Sequence, residues 1–254
     1  MDLTGYISNY LTGYFLVFAR IGSIIMFMPG FGEKYVHSQA KVLFAAVLSL
    51  ALMPATPVGP IEVDDVVLLL GMLAVEVTVG VWIGVMSRTI MSALQFAGYQ
   101  VGQVSALANA FAPSTGPFAG ETMMASFLTI SGIALLFITN THHLMLQSMI
   151  YSYEVFPMGH LMLADMAEQA AHIAGKSMYI GMSLAAPFYI LGIMNNVALG
   201  LANKMMPTLP VFFVASAILI SSGLFLFGIA APHMLTGFLE EFSAWTTTFA
   251  FAGE

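Results

Sequence analysis

Charged residues are scarce in this chain of 254 residues. Asp, Glu, Lys and Arg make up 7% of it, whereas an ordinary soluble domain has about 25%. Because a soluble surface needs roughly 25–35% of these residue types, the composition excludes a soluble enzyme and a disordered protein. Hydrophobic residues reach 59% and the mean hydropathy is +0.91. Both values indicate an integral membrane protein.

Cysteine is absent, which excludes disulfides, thiolate metal sites and a cysteine nucleophile. Lysine and arginine together number six and are spread singly, so the sequence has no basic patch for nucleic acid. It also has no Ser-His-Asp spacing, glycine-rich phosphate loop or HExxH motif. No catalytic, cofactor or metal site is therefore predicted. His142 and His143 are adjacent, unlike the i, i+4 pairs of zinc helices, and are expected to be an interfacial or helix-end pair.

The apolar runs of the sequence are uneven in length. They cover residues 10–31, 42–53, 66–87, 122–139, 144–151, 177–201, 211–231 and 234–252. A helix needs about 20 apolar residues to cross a hydrocarbon core of ~30 Å. The runs that meet this length are 10–31, 66–87, 177–201 and 211–231. Run 42–53 ends at Pro54 and would reach only about 18 Å. The sequence therefore predicts an all-α membrane protein with helical hairpins and broken or re-entrant helices.

Segment 98–121 is the least lipid-like part of the middle of the chain. It contains glycines, glutamines and an asparagine, followed by the stretch Ala112-Pro113-Ser114-Thr115-Gly116-Pro117. Because glycine and proline interrupt helices, this stretch predicts an ordered but non-helical loop. Such backbone persists at membrane depth only where protein or water surrounds it.

A few polar side chains lie inside the apolar runs. Arg20 is in the middle of run 10–31, where an arginine costs about 3 kcal/mol of insertion free energy, and Glu76 is in the middle of run 66–87. Intramembrane charges indicate function by default. The alternatives are an Arg20–Glu76 ion pair that holds two helices together, and a proton or substrate site. Asn195 and Asn196 are expected to make interhelical hydrogen bonds worth about 1 kcal/mol each.

The positive charges do not give a simple topology. Lys34, Lys41 and Arg88 agree in placing the first loop on the cytoplasmic side. Lys176 and Lys204 flank opposite ends of run 177–201, so they cannot both be cytoplasmic if that run crosses the membrane once. Simple alternating spans are therefore not expected.

A set of short motifs occurs in order along the chain from about residue 15 to residue 230: Phe18-Ala19-Arg20-Ile21-Gly22, Met28-Pro29-Gly30-Phe31-Gly32, Ala112-Pro113-Ser114-Thr115-Gly116, Thr141-His142-His143, Pro157-Met158-Gly159 and Leu199-Gly200-Leu201-Ala202-Asn203-Lys204-Met205-Met206-Pro207. This ordered set resembles the FliR family of flagellar biosynthetic proteins. Each motif alone is modest, but the ordered set is specific.

The resemblance implies a non-enzymatic subunit of the flagellar type III export gate, without cofactors, in the bacterial inner membrane at the flagellar basal body. One copy would join several copies of FliP- and FliQ-type membrane proteins. FlhB- and FlhA-type components and the exported flagellar proteins would be further partners. SpaR-type relatives make a virulence secretion gate an alternative. A small-molecule or ion transporter built around Arg20 and Glu76 is another, but it predicts repeated helices, which the sequence lacks.

The resemblance also implies a division of the chain. Residues 1–176 would form a FliP-like helical part, with a pore plug loop around 106–120, and residues 177–254 a FliQ-like helical hairpin with a C-terminal segment. The implied plug residues are Phe111, Pro113, Ser114, Thr115, Gly116, Pro117 and Phe118. The gate would sit high, largely out of the bilayer plane. Arg20, Glu76, Asn195 and Asn196 would then meet neighbouring subunits and the channel rather than hydrocarbon.

Overall fold

The computed structural model describes residues 3–59, 65–106, 123–205 and 211–249, with residues 3–5 and 211–214 described in backbone only. These ranges are almost entirely helical and contain no strand. The helices are α1 (Leu3–Phe27), α2 (Ser38–Leu52), α3 (Val66–Val104), α4 (Met123–Ile138), α5 (Thr141–Val155), α6 (Leu163–Met205) and α7 (Val211–Thr248). The predicted all-α class is confirmed.

Within the described ranges, five helices are long and apolar enough to cross a membrane. They are Tyr6–Phe27, Ser38–Ala55, Val66–Val104, Leu163–Met205 and Ala215–Thr248. Helices α4 and α5 meet the same criterion together but bend by 79° between Ile138 and Thr141, which would bring the number of spans to six. The prediction of a broken or re-entrant element is confirmed by this bent pair.

Helix α2 corrects one expectation from the sequence. Run 42–53 was expected to be too short for a span, but the helical segment extends from Ser38 to Ala55. It begins in the polar residues before the run. Pro54 does not end it, because the proline lies in the first turn of a short 3₁₀ helix, Met53–Ala55, where its missing N–H is not needed.

Helices α3, α6 and α7 are longer than the apolar runs that predicted them. They contain 39, 43 and 38 residues, which corresponds to roughly 57–65 Å, about twice the thickness of a hydrocarbon core. Helix α6 begins well before residue 177, because its first turns are rich in Ala, Glu, Gln and Met, which are strong helix formers. Helix α7 continues through Pro232 and joins two predicted runs into one helix.

The described chain forms two compact units, and each is discontinuous in sequence. One comprises Met1–Ile90, Asn140–Ile173 and Trp245–Glu254. Its core contains fully buried aliphatic side chains of α1 and α3, including Leu16, Ile24 and Ile83. The N–H of Trp82 donates to the Met166 carbonyl at 3.1 Å. These contacts gather α1, α3 and the start of α6 around one core.

The other unit comprises Met91–Thr139 and Ala174–Ala244. Its core includes an aromatic group in which the Phe227 ring lies 5.7 Å from Phe127 and 6.4 Å from Phe188. Lys176 Nζ lies 3.7 Å from a Glu241 carboxylate oxygen. Neither unit coincides with the division at residue 176. That division concerns the resemblance of each part of the chain to a smaller subunit.

Candidate functional site: a buried polar cluster around Arg20

Arg20 of α1 and Glu76 of α3 form an ion pair in the core of their unit. Both side chains have 0% exposure. Arg20 Nε lies 2.6 Å from Glu76 Oε2, and Nη2 lies 3.0 Å from Oε1. This is the two-point arrangement that a planar guanidinium forms with a carboxylate. The ion pair expected from the sequence is therefore present.

Two glycines of α3 allow α1 to approach closely enough for this pair. A Cβ added to Gly80 would lie 2.5 Å from the Arg20 carbonyl oxygen and would collide with Ser23 Oγ. A Cβ on Gly84 would lie 2.7 Å from Phe27 Cβ. Gly80 and Gly84 form a GxxxG pattern, which permits close helix packing. Glu76 lies one turn before Gly80 and meets Arg20 across this contact.

Arg20 also binds the C-terminal end of α5. Its Nη1 donates to the carbonyl oxygens of Ser152 at 3.1 Å and Phe156 at 2.9 Å. The Ser152 carbonyl also accepts the N–H of Phe156 at 2.9 Å, whereas Phe156 is the C-cap residue, whose carbonyl lacks an intrahelical partner. A cation at the C-terminal end of a helix is favourable. The guanidinium carbon lies 4.0 Å from the centre of the Tyr153 ring, within the range of a cation–π contact. The single Arg20 side chain therefore joins α1, α3 and the end of α5.

Glu76 supplies the matching acceptor for the turn that follows α5. The N–H of Gly159 donates to Glu76 Oε1 at 3.3 Å. Gly159 has φ +75°, in the left-handed region where glycine is favoured because it has no Cβ. The pair thus accepts from the N–H of the exposed Gly159 and donates to carbonyl groups of the buried residues Ser152 and Phe156, where an unpaired polar group would be costly.

The enclosure of this cluster decides what it can do chemically. Arg20 and Glu76 have no exposed surface, and a proton or substrate site needs an access route. The arrangement therefore favours the structural alternative, in which the pair holds helices together.

The two predicted asparagines lie elsewhere, on α6. Asn195 is partly buried and lines a cavity of about 240 Å³ with residues of α7, including Ala215 and Ile218. Its buried amide nitrogen has no hydrogen-bond partner among the described residues. The amide nitrogen therefore does not make the expected interhelical hydrogen bond, because the facing positions are apolar. Asn196 is exposed and lines a second cavity of about 340 Å³.

The remaining predictions from the sequence concern the plug residues, the two adjacent histidines and metal sites. The plug residues Phe111, Pro113, Ser114, Thr115, Gly116, Pro117 and Phe118 lie outside the described residues. His142 and His143 lie in the first turn of α5, with ring centres 4.2 Å apart, so the expected helix-end position is confirmed. No group of three or more His, Cys, Asp or Glu residues within the described ranges could hold a metal ion.

Sequence reasoning missed the part of the cluster contributed by the end of α5 and the turn that follows it. Ser152, Phe156 and Gly159 take part through backbone atoms, and a backbone group leaves no residue-type signal. In the sequence, Tyr153 looks like an ordinary aromatic residue of a helix core. The available signals were Glu76 one turn before a GxxxG pattern and the glycine of Pro157-Met158-Gly159.

Comparison with known protein families extends over nearly the whole chain. The family described as bacterial export proteins, family 1, matches residues 11–245. This range includes Arg20, Glu76 and all of the bent pair α4–α5. The chain belongs to the FliR family of bacterial export proteins.

Curated relatives in this family agree with the match. The chain is 34% identical over 220 residues to the flagellar biosynthetic protein FliR of Caulobacter vibrioides, covering 85% of this chain and 86% of the relative. It is 29% identical over 228 residues to that of Pectobacterium carotovorum, covering 88% and 86%. Identity to the Escherichia coli protein is 26% over 236 residues, covering 92% and 89%.

Family membership decides among the functions that the sequence left open. This FliR-family chain is a non-enzymatic membrane component of flagellar type III protein export. It is a helical inner-membrane protein with several spans. The flagellar export function is therefore confirmed over the virulence-type gate and the small-molecule transporter.

Proposed function

We propose that this chain assembles with FliP- and FliQ-type membrane subunits to form the channel through which flagellar proteins leave the cytoplasm. The observation that carries the proposal is the family match across residues 11–245. FlhB- and FlhA-type components and the exported flagellar proteins are the further partners of this assembly.

The exposed apolar surface of the chain supports a role as one subunit among several. Within the 18-residue α2 span only 11% of the residues are buried, and within an apolar 18-residue stretch of α6 17%. One face of α6 carries exposed side chains at helical spacing: Ile190, Ile193, Met194, Val197, Leu201 and Met205. Surface of this kind is stable only against lipid or other apolar helices. Partner subunits would cover much of it.

The two smaller subunits are proposed to correspond to two successive segments of this chain. We propose that residues 1–176 correspond to a FliP-like part and residues 177–254 to a FliQ-like hairpin with a C-terminal segment. The antiparallel course of α6 and α7 supports the hairpin. Lys176, early in α6, pairs with Glu241 near the end of α7, and Asn195, later in α6, shares a cavity with Ile218 near the start of α7.

Residues 106–120 are proposed to form the plug of the closed pore. Their glycines and prolines favour a non-helical loop, and Phe111 and Phe118 are bulky enough to fill a narrow channel. A hydrophobic constriction blocks ions by dewetting. Arg20 and Glu76 are assigned a supporting role, in which they hold the helices of one unit in the geometry that the assembly needs.

Assembly can be tested by expressing the chain with an affinity tag, alone and together with its FliP- and FliQ-type partners. We expect a stable complex to purify only from the co-expression, because the apolar faces of α2 and α6 need partner surface. Purification in detergent followed by mass measurement of the intact complex would show its composition. A chain that is equally stable alone, and that recruits neither partner when co-expressed, would contradict the proposed function.

A further inference from the structure

The last turns of α3 pack in a groove where the facing helices present glycine. This contact lies wholly within the unit formed by Met91–Thr139 and Ala174–Ala244. A Cβ added to Gly181 of α6 would lie 2.8 Å from the Phe96 ring and 2.9 Å from the Ala93 carbonyl oxygen. Real Cβ atoms do not approach other atoms so closely, so the approach of α3 at this level requires glycine at position 181.

Two more glycines meet the end of α3 a little over two turns further along that helix. A Cβ on Gly192 of α6 would collide with a methyl group of Val104. A Cβ on Gly223 of α7 would collide with Ser105 Cβ and lie 2.8 Å from its Oγ. Ser105 is fully buried, and its Oγ has no hydrogen-bond partner among the described residues. Close packing, rather than hydrogen bonding, therefore holds this end of the helix.

Three other glycines of α6 and α7 have no atom close to the position of an added Cβ. Gly175 and Gly200 of α6, and Gly228 of α7, would each gain a Cβ in open space, with nothing within 4 Å. A helical glycine costs about 1 kcal/mol relative to alanine wherever it occurs. The close approach of α3 distinguishes Gly181, Gly192 and Gly223 from these three glycines.

The contacted residues at the end of α3, together with Ser105 directly after it, point in different directions and lie at different heights along the helix axis. At 3.6 residues per turn, Val104 and Ser105 are rotated by roughly 80° and 180° from Phe96, and they lie about 12 Å or more further along the axis. Contacts spread in this way resist rotation, sliding and tilting of the helix. A single contact would resist only one of these movements.

We propose that Gly181, Gly192 and Gly223 are positioning residues that set the depth and rotation of the end of α3. They thereby set the point from which the chain continues beyond Ala106. Any effect of this placement on the pore rests on the proposed plug function of residues 106–120. The placement of α3 itself does not depend on that function.

The absence of cysteine allows this placement to be measured directly in the assembled complex. Gln103 of α3 and Asn196 of α6 are exposed and line the same cavity as Val104 and Gly192. A Gln103→Cys, Asn196→Cys chain should be joined by a short thiol-specific crosslinker. We expect Gly223→Ala to lower the crosslinking yield at least roughly fivefold, because overpacking displaces α3. Gly228→Ala, the matched control, should leave the yield unchanged.

A compensating variant separates positioning from general damage. Combining Ser105→Gly with Gly223→Ala removes the colliding Cβ and Oγ, and leaves Ser105 Cα 3.4 Å from the new methyl group. We expect the double variant to restore the yield. If Gly223→Ala prevents assembly, restored assembly in the double variant supports the inference in the same way. An unchanged yield in Gly223→Ala, an equal loss in Gly228→Ala, or failure of Ser105→Gly to restore yield or assembly would overturn it.

Ion permeability of the same complexes distinguishes this inference from the proposed plug. Lost crosslinking together with raised permeability supports both. Lost crosslinking with unchanged permeability supports the positioning role and counts against the plug. An unchanged crosslinking yield overturns the positioning role whatever the permeability.

Discussion

Replacing Arg20 by alanine is expected to prevent the chain from accumulating in its assembled complex. The change leaves the Glu76 carboxylate buried without its cation and removes the donor that binds the Ser152 and Phe156 carbonyls. Removing one partner of a buried ion pair costs about 3–5 kcal/mol. A domain has only about 5–15 kcal/mol of stability in total, so this loss is a large fraction of it. Glu76→Ala should have a similar effect, because it leaves a buried cation.

Two matched variants make this result specific. Arg20→Lys keeps the charge but cannot make the fork of donors, and should lose most of the stability. Lys176→Ala removes one partner of a looser ion pair, in which Nζ lies 3.7 Å from a Glu241 carboxylate oxygen and the two side chains are 24% and 36% exposed; pairs of that kind contribute about 0–1 kcal/mol. Complex yield and thermal unfolding in detergent would measure all four variants. Full yield and protein export in both Arg20→Ala and Glu76→Ala would contradict a structural role.

Deleting residues 110–118 is expected to leave the complex assembled but permeable to small ions. The segment removed contains Phe111, Phe118 and the Pro/Gly stretch between them. If these residues obstruct the closed pore, the shortened loop no longer excludes water, and a wetted pore conducts ions. Ion flux into vesicles containing the purified complex would measure the effect.

A control for this deletion keeps the length of the loop. Phe111→Ala combined with Phe118→Ala retains every backbone atom but removes both rings, so it should give a smaller leak than the deletion. A leak of equal size would assign the block to the rings alone. Normal assembly with unchanged permeability after the deletion would count against the plug.

The sequence predicts the helices better than their ends. Apolar runs identify the helices, because a membrane span is defined by the composition of about 20 consecutive residues. The apolar runs do not predict the ends of α6 and α7. A less apolar stretch extends α6 before its run, and a proline-containing stretch extends α7 beyond its first run. Pro232 lies inside α7, although proline is the usual sign of a helix end.

The Arg20–Glu76 pair could be predicted because each charge lies in an otherwise apolar run. The rest of the cluster could not, since Arg20 reaches backbone oxygens that are 132 and 136 residues away in the chain. The glycines at 181, 192 and 223 also lack a readable spacing. Their common partner is a third helix, and packing of that kind follows from tertiary structure rather than local sequence.

If this FliR-family chain contributes a segment to the channel that flagellar proteins cross, that segment should lie against the exported protein. Since the chain has no cysteine, single cysteines can be introduced one at a time at positions 100–120 and crosslinked to an export substrate stalled in the gate. We expect adducts at several positions in this range and none at a control position such as Leu43, an exposed residue of α2. Efficient stalling without an adduct at any position from 100 to 120 would remove this segment from the channel.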